Sequence, residues 1–170
     1  MNKRKPADYS ALYKTLDKLM AQKMSETELC YEISKAVCSR SEKCAAVMAS
    51  EYLRERYPEM TGFSPCNMRR MREFYRAYEN EPTLLKVALQ IKWTLNVIIL
   101  EACETAEEKC WYLRQVYLHK WKKSELVNAL KSQAWQKCPL DLQANICYTE
   151  KKEATQENER NEKDPLYLSR

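Results

Sequence analysis

At 170 residues the chain has room for one domain with a real core, and its single Gly and six Pro exclude a sandwich or barrel, which needs turn residues at every strand end. Its 29 basic and 24 acidic residues leave a net charge of +5, which is compatible with a nucleic-acid partner without requiring one. The expected fold class is all-α: a compact multi-helix bundle with a polar C-terminal tail.

Residues 1–6 carry Lys3, Arg4 and Lys5 without a following apolar run and read as a flexible basic N-terminus rather than a secretory leader. A helical domain is expected over residues 7–148. Its first segment, residues 7–24, repeats Leu12, Leu16, Leu19 and Met20 at helical spacing. Ser25 with Glu28 is a capping-box pair that opens a second helix through Leu29, Ile33 and Val37. After a polar break at residues 39–42, Ala45, Met48, Ala49, Tyr52 and Leu53 mark a third. Residues 57–64 hold the only glycine, Gly62, and a proline, so the chain must turn there.

The next segment, residues 62–78, is the most informative. Ser64 suits an N-cap and Pro65 the first helical position. At 100° per residue Met68, Met71, Tyr75 and Tyr78 fall on one side and Arg69, Arg72 and Arg76 on a neighbouring stripe. An apolar anchor beside a row of guanidinium groups is what a helix laid against phosphates requires. Arg70 lies off that stripe, on the other edge of the polar face, where it reaches a second phosphate or pairs with a neighbouring helix. Helix, turn and Arg-bearing helix in this order suggest a helix-turn-helix-like unit, with a longer turn than the compact motif has.

After a break at Pro82, residues 84–89 make a short helix, and residues 93–103, with Trp93, Val97, Ile98, Ile99 and Leu100, read as a central buried element. Thr105 with Glu108 is a second capping-box pair. It starts a helix over residues 106–120 whose inner face is Tyr112, Leu113, Val116 and Tyr117. A last segment begins at Ser124 and runs through Leu126, Val127 and Leu130 to Trp135. From Cys138-Pro139 onward the pattern decays. Residues 149–170 read as a charged tail, disordered or a solvated helix, ending in a small apolar cluster at Leu166-Tyr167-Leu168.

A second basic group, Lys120, Lys122 and Lys123 beside His119, ends one helix and enters the next. The helix dipole accounts for cations at a C-terminus, and a nucleic-acid backbone clamp is the functional alternative. Eight cysteines without a Cys-x-x-Cys pair, and His119 as the only histidine, argue for small buried thiols in a reducing cytoplasm rather than disulfides or zinc. No histidine or thiol has the neighbours of a catalytic couple, and the longest apolar run is too short for a bilayer, so no enzyme, no cofactor and no membrane partner are expected.

Several ordered blocks carry a family resemblance: Leu29-Cys30-Tyr31-Glu32-Ile33-Ser34-Lys35, the Gly62-Phe63-Ser64 to Asn67-Met68-Arg69-Arg70-Met71-Arg72 block, residues 93–100, and Trp111-Tyr112-Leu113-Arg114 with Trp121 and Leu126. Together they resemble the N-terminal domain of YhcG-type bacterial proteins, whose C-terminal half is a PD-(D/E)XK nuclease. The resemblance is strongest over residues 25–130. It implies a DNA-binding helical module in which Asn67, Arg69, Arg70 and Arg72 are contacts. The family's histidine two residues after the tryptophan matching Trp93 is replaced by Leu95, and no acidic-x-Lys arrangement of a nuclease follows. The expected function is therefore non-enzymatic binding of double-stranded DNA. The alternative is a protein-interaction module, homodimeric or an adaptor or inhibitor of a nuclease or anti-phage defence complex, encoded on a mobile element.

Overall fold

A computed structural model of the protein describes residues 7–41 and 44–138. The basic N-terminus at 1–6 and the expected tail at 149–170 lie outside the described residues. Among those residues all regular structure is helical: α1 (Ser10–Met20), α2 (Glu26–Cys38), α3 (Ala45–Arg56), α4 (Pro65–Tyr78), α5 (Pro82–Leu89), α6 (Trp93–Ala102), α7 (Ala106–His119) and α8 (Lys123–Lys131). The chain divides into two compact units, one ending at Glu81 and the next beginning at Pro82.

Local chemistry sets the helix starts. Ser25, Ser64 and Thr105 each stand in extended backbone, and each side-chain oxygen accepts an N–H three residues on, from Glu28, Asn67 and Glu108, at 3.2 Å. The first helix is shorter than the expected residues 7–24. Asp8 Oδ1 accepts the Ser10 N–H at 2.9 Å and sets its start, while residues 21–23 are exposed and give a helix nothing to bury.

In the first unit α2 packs most broadly on α4, and α1 and α3 complete the layer around it. Leu12, Leu16, Ile33, Val37, Ala49, Leu53, Met68, Met71 and Phe74 form its core. A polar joint ties α1 to the end of α3. The Tyr52 and Tyr57 hydroxyls both donate to the Asp17 carboxylate at 2.8 Å, and the Tyr13 and Tyr52 rings stack at 4.1 Å.

The second unit is organised around Ile99, Tyr112, Leu113, Val116 and Leu126. The expected buried face of α6 shifts. Trp93, Leu95, Asn96 and Ile99 are buried, while Val97, Ile98 and Leu100 are only half-buried. Asn96, fully buried, holds the α5–α6 turn by donating from Nδ2 to the carbonyls of Ala88 at 2.9 Å and Ile91 at 3.1 Å. Those carbonyls sit at and just beyond the end of α5, where Ala88 O also accepts the Ile91 N–H at 3.2 Å.

Candidate nucleic-acid interface

Helix α4 owes its position to the turn before it. Gly62 has φ of +98°, a conformation that costs other residues strain, and its carbonyl accepts a hydrogen bond from Asn67 Nδ2 at 2.6 Å. The next carbonyl, of Phe63, accepts the buried Ser50 hydroxyl at 2.6 Å, pinning the turn to α3. Phe63 before the N-cap and Met68 in the fourth helical position are both buried, the arrangement of a hydrophobic staple. The entry angle of α4 is thus fixed by three separate devices.

Met68, Met71, Phe74 and Tyr78 form the buried face of α4. Phe74 takes the place expected of Tyr75, which is half-buried and packs on the Tyr31 ring at 5.4 Å. Recentring the core on Phe74 rotates the outward direction of the helix toward Arg69 and Arg76. Both are exposed. Arg72 is half-buried, and its Nε lies out of solvent with no hydrogen bond. The three arginines of the stripe therefore do not emerge alike: two point outward, and the third lies along the flank of the core.

Among the other residues singled out in the sequence, Asn67 is half-buried and its amide is used in the Gly62 turn. Arg70 is half-buried and engaged within the chain. Lys120, Lys122 and Lys123 are all exposed. They belong to the second unit, and their settings differ. Lys120 closes α7 in left-handed backbone, φ 52°, with its ammonium 4.3 Å from the Tyr117 ring centroid. Lys122 and Lys123 stand instead at the N-cap and first position of α8, where the Lys122 N–H donates to Glu125 Oε2 at 2.6 Å. The dipole argument for cations at a helix C-terminus covers Lys120 alone.

These lysines line an open groove of about 470 Å³ with Ile91, Leu95 and Val116 as its floor and Tyr117 and Trp121 on its wall. Lys92, which the sequence reading passed over, lines it too, as the N-cap of α6. Its only signal is a cation where a capping Ser, Thr, Asp or Asn is normal.

The thiols also differ from expectation. Cys30, Cys103 and Cys110 are buried, but Cys44 and Cys66 are exposed, because Cys66 in the first turn of α4 faces away from the core. Desolvation pushes the Cys30 and Cys103 thiols up to about 12, so neither is a nucleophile at neutral pH. Among the described residues no group of three or more His, Cys, Asp or Glu side chains could hold a metal ion, and no helix is long and apolar enough to cross a membrane.

The family model for the DUF1016 N-terminal domain matches residues 17–137, which reaches into both units and includes each candidate contact residue above. No curated protein and no solved structure matches the chain. The chain therefore belongs to the DUF1016 N-terminal domain family, the N-terminal domain of YhcG-type proteins.

Proposed function

We propose that this DUF1016 N-terminal domain is a non-enzymatic module that binds double-stranded DNA through the outer face of α4. The observation that carries the reading is the exposed pair Arg69 and Arg76, two turns apart on the side opposite Met71, Phe74 and Tyr78. Seven residues rise about 10 Å along a helix, so the two guanidinium groups can meet separate phosphates of one backbone. A guanidinium at each end can then grip the backbone while the capped, stapled N-terminus holds the helix at a fixed angle. Cys66, exposed on the same helix, offers a reporter beside the contact.

The test is a polarisation titration of a labelled duplex against the whole chain at several salt concentrations. Binding should weaken linearly on a log–log plot. Replacing Arg69→Ala and Arg76→Ala together should reduce the slope by about 2 and the affinity about tenfold or more. Duplex should also slow maleimide labelling of Cys66. Affinity unchanged in the double variant, or no binding at low salt, removes the proposal.

A further inference from the structure

The groove of the second unit has an electrostatic arrangement that packing alone does not favour. Lys92 caps the N-terminus of α6, and Lys122 and Lys123 begin α8. The N-terminus of a helix is its positive end, so three lysines stand at two positive ends that carry a single first-turn carboxylate, Glu125 of α8. Neither helix receives a cap from an uncharged or acidic side chain at its N-cap position, and an ammonium has no lone pair with which to accept a first-turn N–H. Lys120 adds a fourth cation from the end of α7, steered over Tyr117. All four side chains line the same concavity, and no carboxylate lies among its lining residues. Like charges gathered around two positive helix ends repel one another, and an anion seated among them relieves that repulsion.

The walls say what kind of anion. Tyr117 and Trp121 border the groove, both half-buried, with the Lys120 ammonium over the Tyr117 ring and the His119 ring stacked on Trp121 at 6.1 Å. A compact inorganic anion would use the lysines and leave the rings and a groove of about 470 Å³ largely unfilled. A planar body carrying a phosphate uses both. We infer that this groove binds a single phosphorylated nucleotide, with the phosphate among Lys92, Lys122 and Lys123 and the base against Trp121. The nucleotide is either free or the unpaired end of a strand, the two sources sharing one chemistry. The site's residues all belong to the second unit and α4 to the first, so the inference stands whether or not α4 binds duplex.

Tryptophan fluorescence of the whole chain reads the site, because Trp121 is part of its wall. Titrations with dAMP, with inorganic phosphate, and with a short single-stranded oligonucleotide bearing a 5′-phosphate form the three arms. Saturable quenching by dAMP is expected, about tenfold tighter than any response to phosphate alone. An oligonucleotide binding tighter than dAMP identifies a strand end as the source, and equal affinity identifies the free nucleotide. Replacing Lys122→Ala and Lys123→Ala together should weaken dAMP about tenfold or more, with the thermal unfolding curve retained. Read by titration calorimetry, which does not depend on the indole, Trp121→Phe should keep binding and Trp121→Ala lose it. Arg69→Ala with Arg76→Ala should leave dAMP affinity unchanged while weakening duplex binding about tenfold or more, so failure of one site is distinguishable from failure of the other. No saturation by about 10 mM dAMP, or equal affinity for inorganic phosphate, overturns the inference.

Discussion

Asn96 is the residue whose chemistry is most tightly determined. It is fully buried, and its Nδ2 faces the carbonyls that end α5, so only a donor fits there. Asn96→Ala should destabilise by about 2 kcal/mol, since it removes the buried side-chain donor from both carbonyls and leaves Ala88 O with the Ile91 N–H alone. Asn96→Asp should cost more at pH 7, because a carboxylate would confront carbonyl oxygens. Protonation converts it to a donor, so the variant should regain stability as pH falls, the reverse of the usual acid response. Urea denaturation of both variants at pH 5 and 7 checks the sign. Asp17 behaves oppositely. The hydroxyls of Tyr57 and Tyr52 hold its carboxyl below the usual carboxylate value. A depressed native pKa gives stability that is present above the unfolded value and lost as pH drops through the native one, so the joint should weaken below about pH 4. Tyr57→Phe should cost about 1 kcal/mol at neutral pH, since the pair is partly screened by water, and should remove part of that acid sensitivity.

At the scale of the element, the helix starts were readable because capping is local chemistry. Ser25, Ser64 and Thr105 stand at the expected N-caps and accept the expected N–H groups. What was not readable was rotation. A 100° projection treats Tyr75 and Phe74 as near equals, and tertiary packing separates them: Phe74 is buried against Tyr78 at 4.9 Å, while Tyr75 stays half-buried beside the Tyr31 ring at 5.4 Å. That tertiary choice turns Arg72 toward the core flank and leaves Arg69 and Arg76 outward. The groove of the second unit was legible only in half: Lys120, Lys122 and Lys123 are adjacent in sequence, whereas Lys92 joins them through the packing of α6 against α7 and α8. The Gly62 turn makes its own test. A Cβ there would meet only Asn67 Nδ2 at 3.7 Å, ordinary contact, so Gly62→Ala should act through its positive φ and cost about 1 kcal/mol or more. Because that turn aims α4, the variant should also lower duplex affinity with Arg69 and Arg76 intact.

For the whole molecule, thiol exposure reports the integrity of both units in one measurement. Cys30 lies in the core of the first unit and Cys103 and Cys110 in that of the second, while Cys44 and Cys66 face solvent. Under native conditions a chromogenic disulfide reagent should titrate Cys44 and Cys66 within the mixing phase. The three buried thiols should react only at the rate of opening or unfolding, and if the units open independently, Cys30 should separate from Cys103 and Cys110 in rate. Burial also sets an alkaline limit. Raising Cys30 and Cys103 from 9.0 to about 12 means that the native state keeps protons the unfolded chain gives up. The stability they contribute is complete below pH 9 and declines as pH climbs from there toward 12. Denaturation midpoints should accordingly fall across that range, and less in Cys30→Ala or Cys103→Ala, whose native cores have no thiolate to desolvate. A midpoint that stays level to pH 11 in the parent chain, or fast labelling of Cys30 under native conditions, would mean that these cores are more open to water than the packing of Ile33, Phe74 and Leu113 requires.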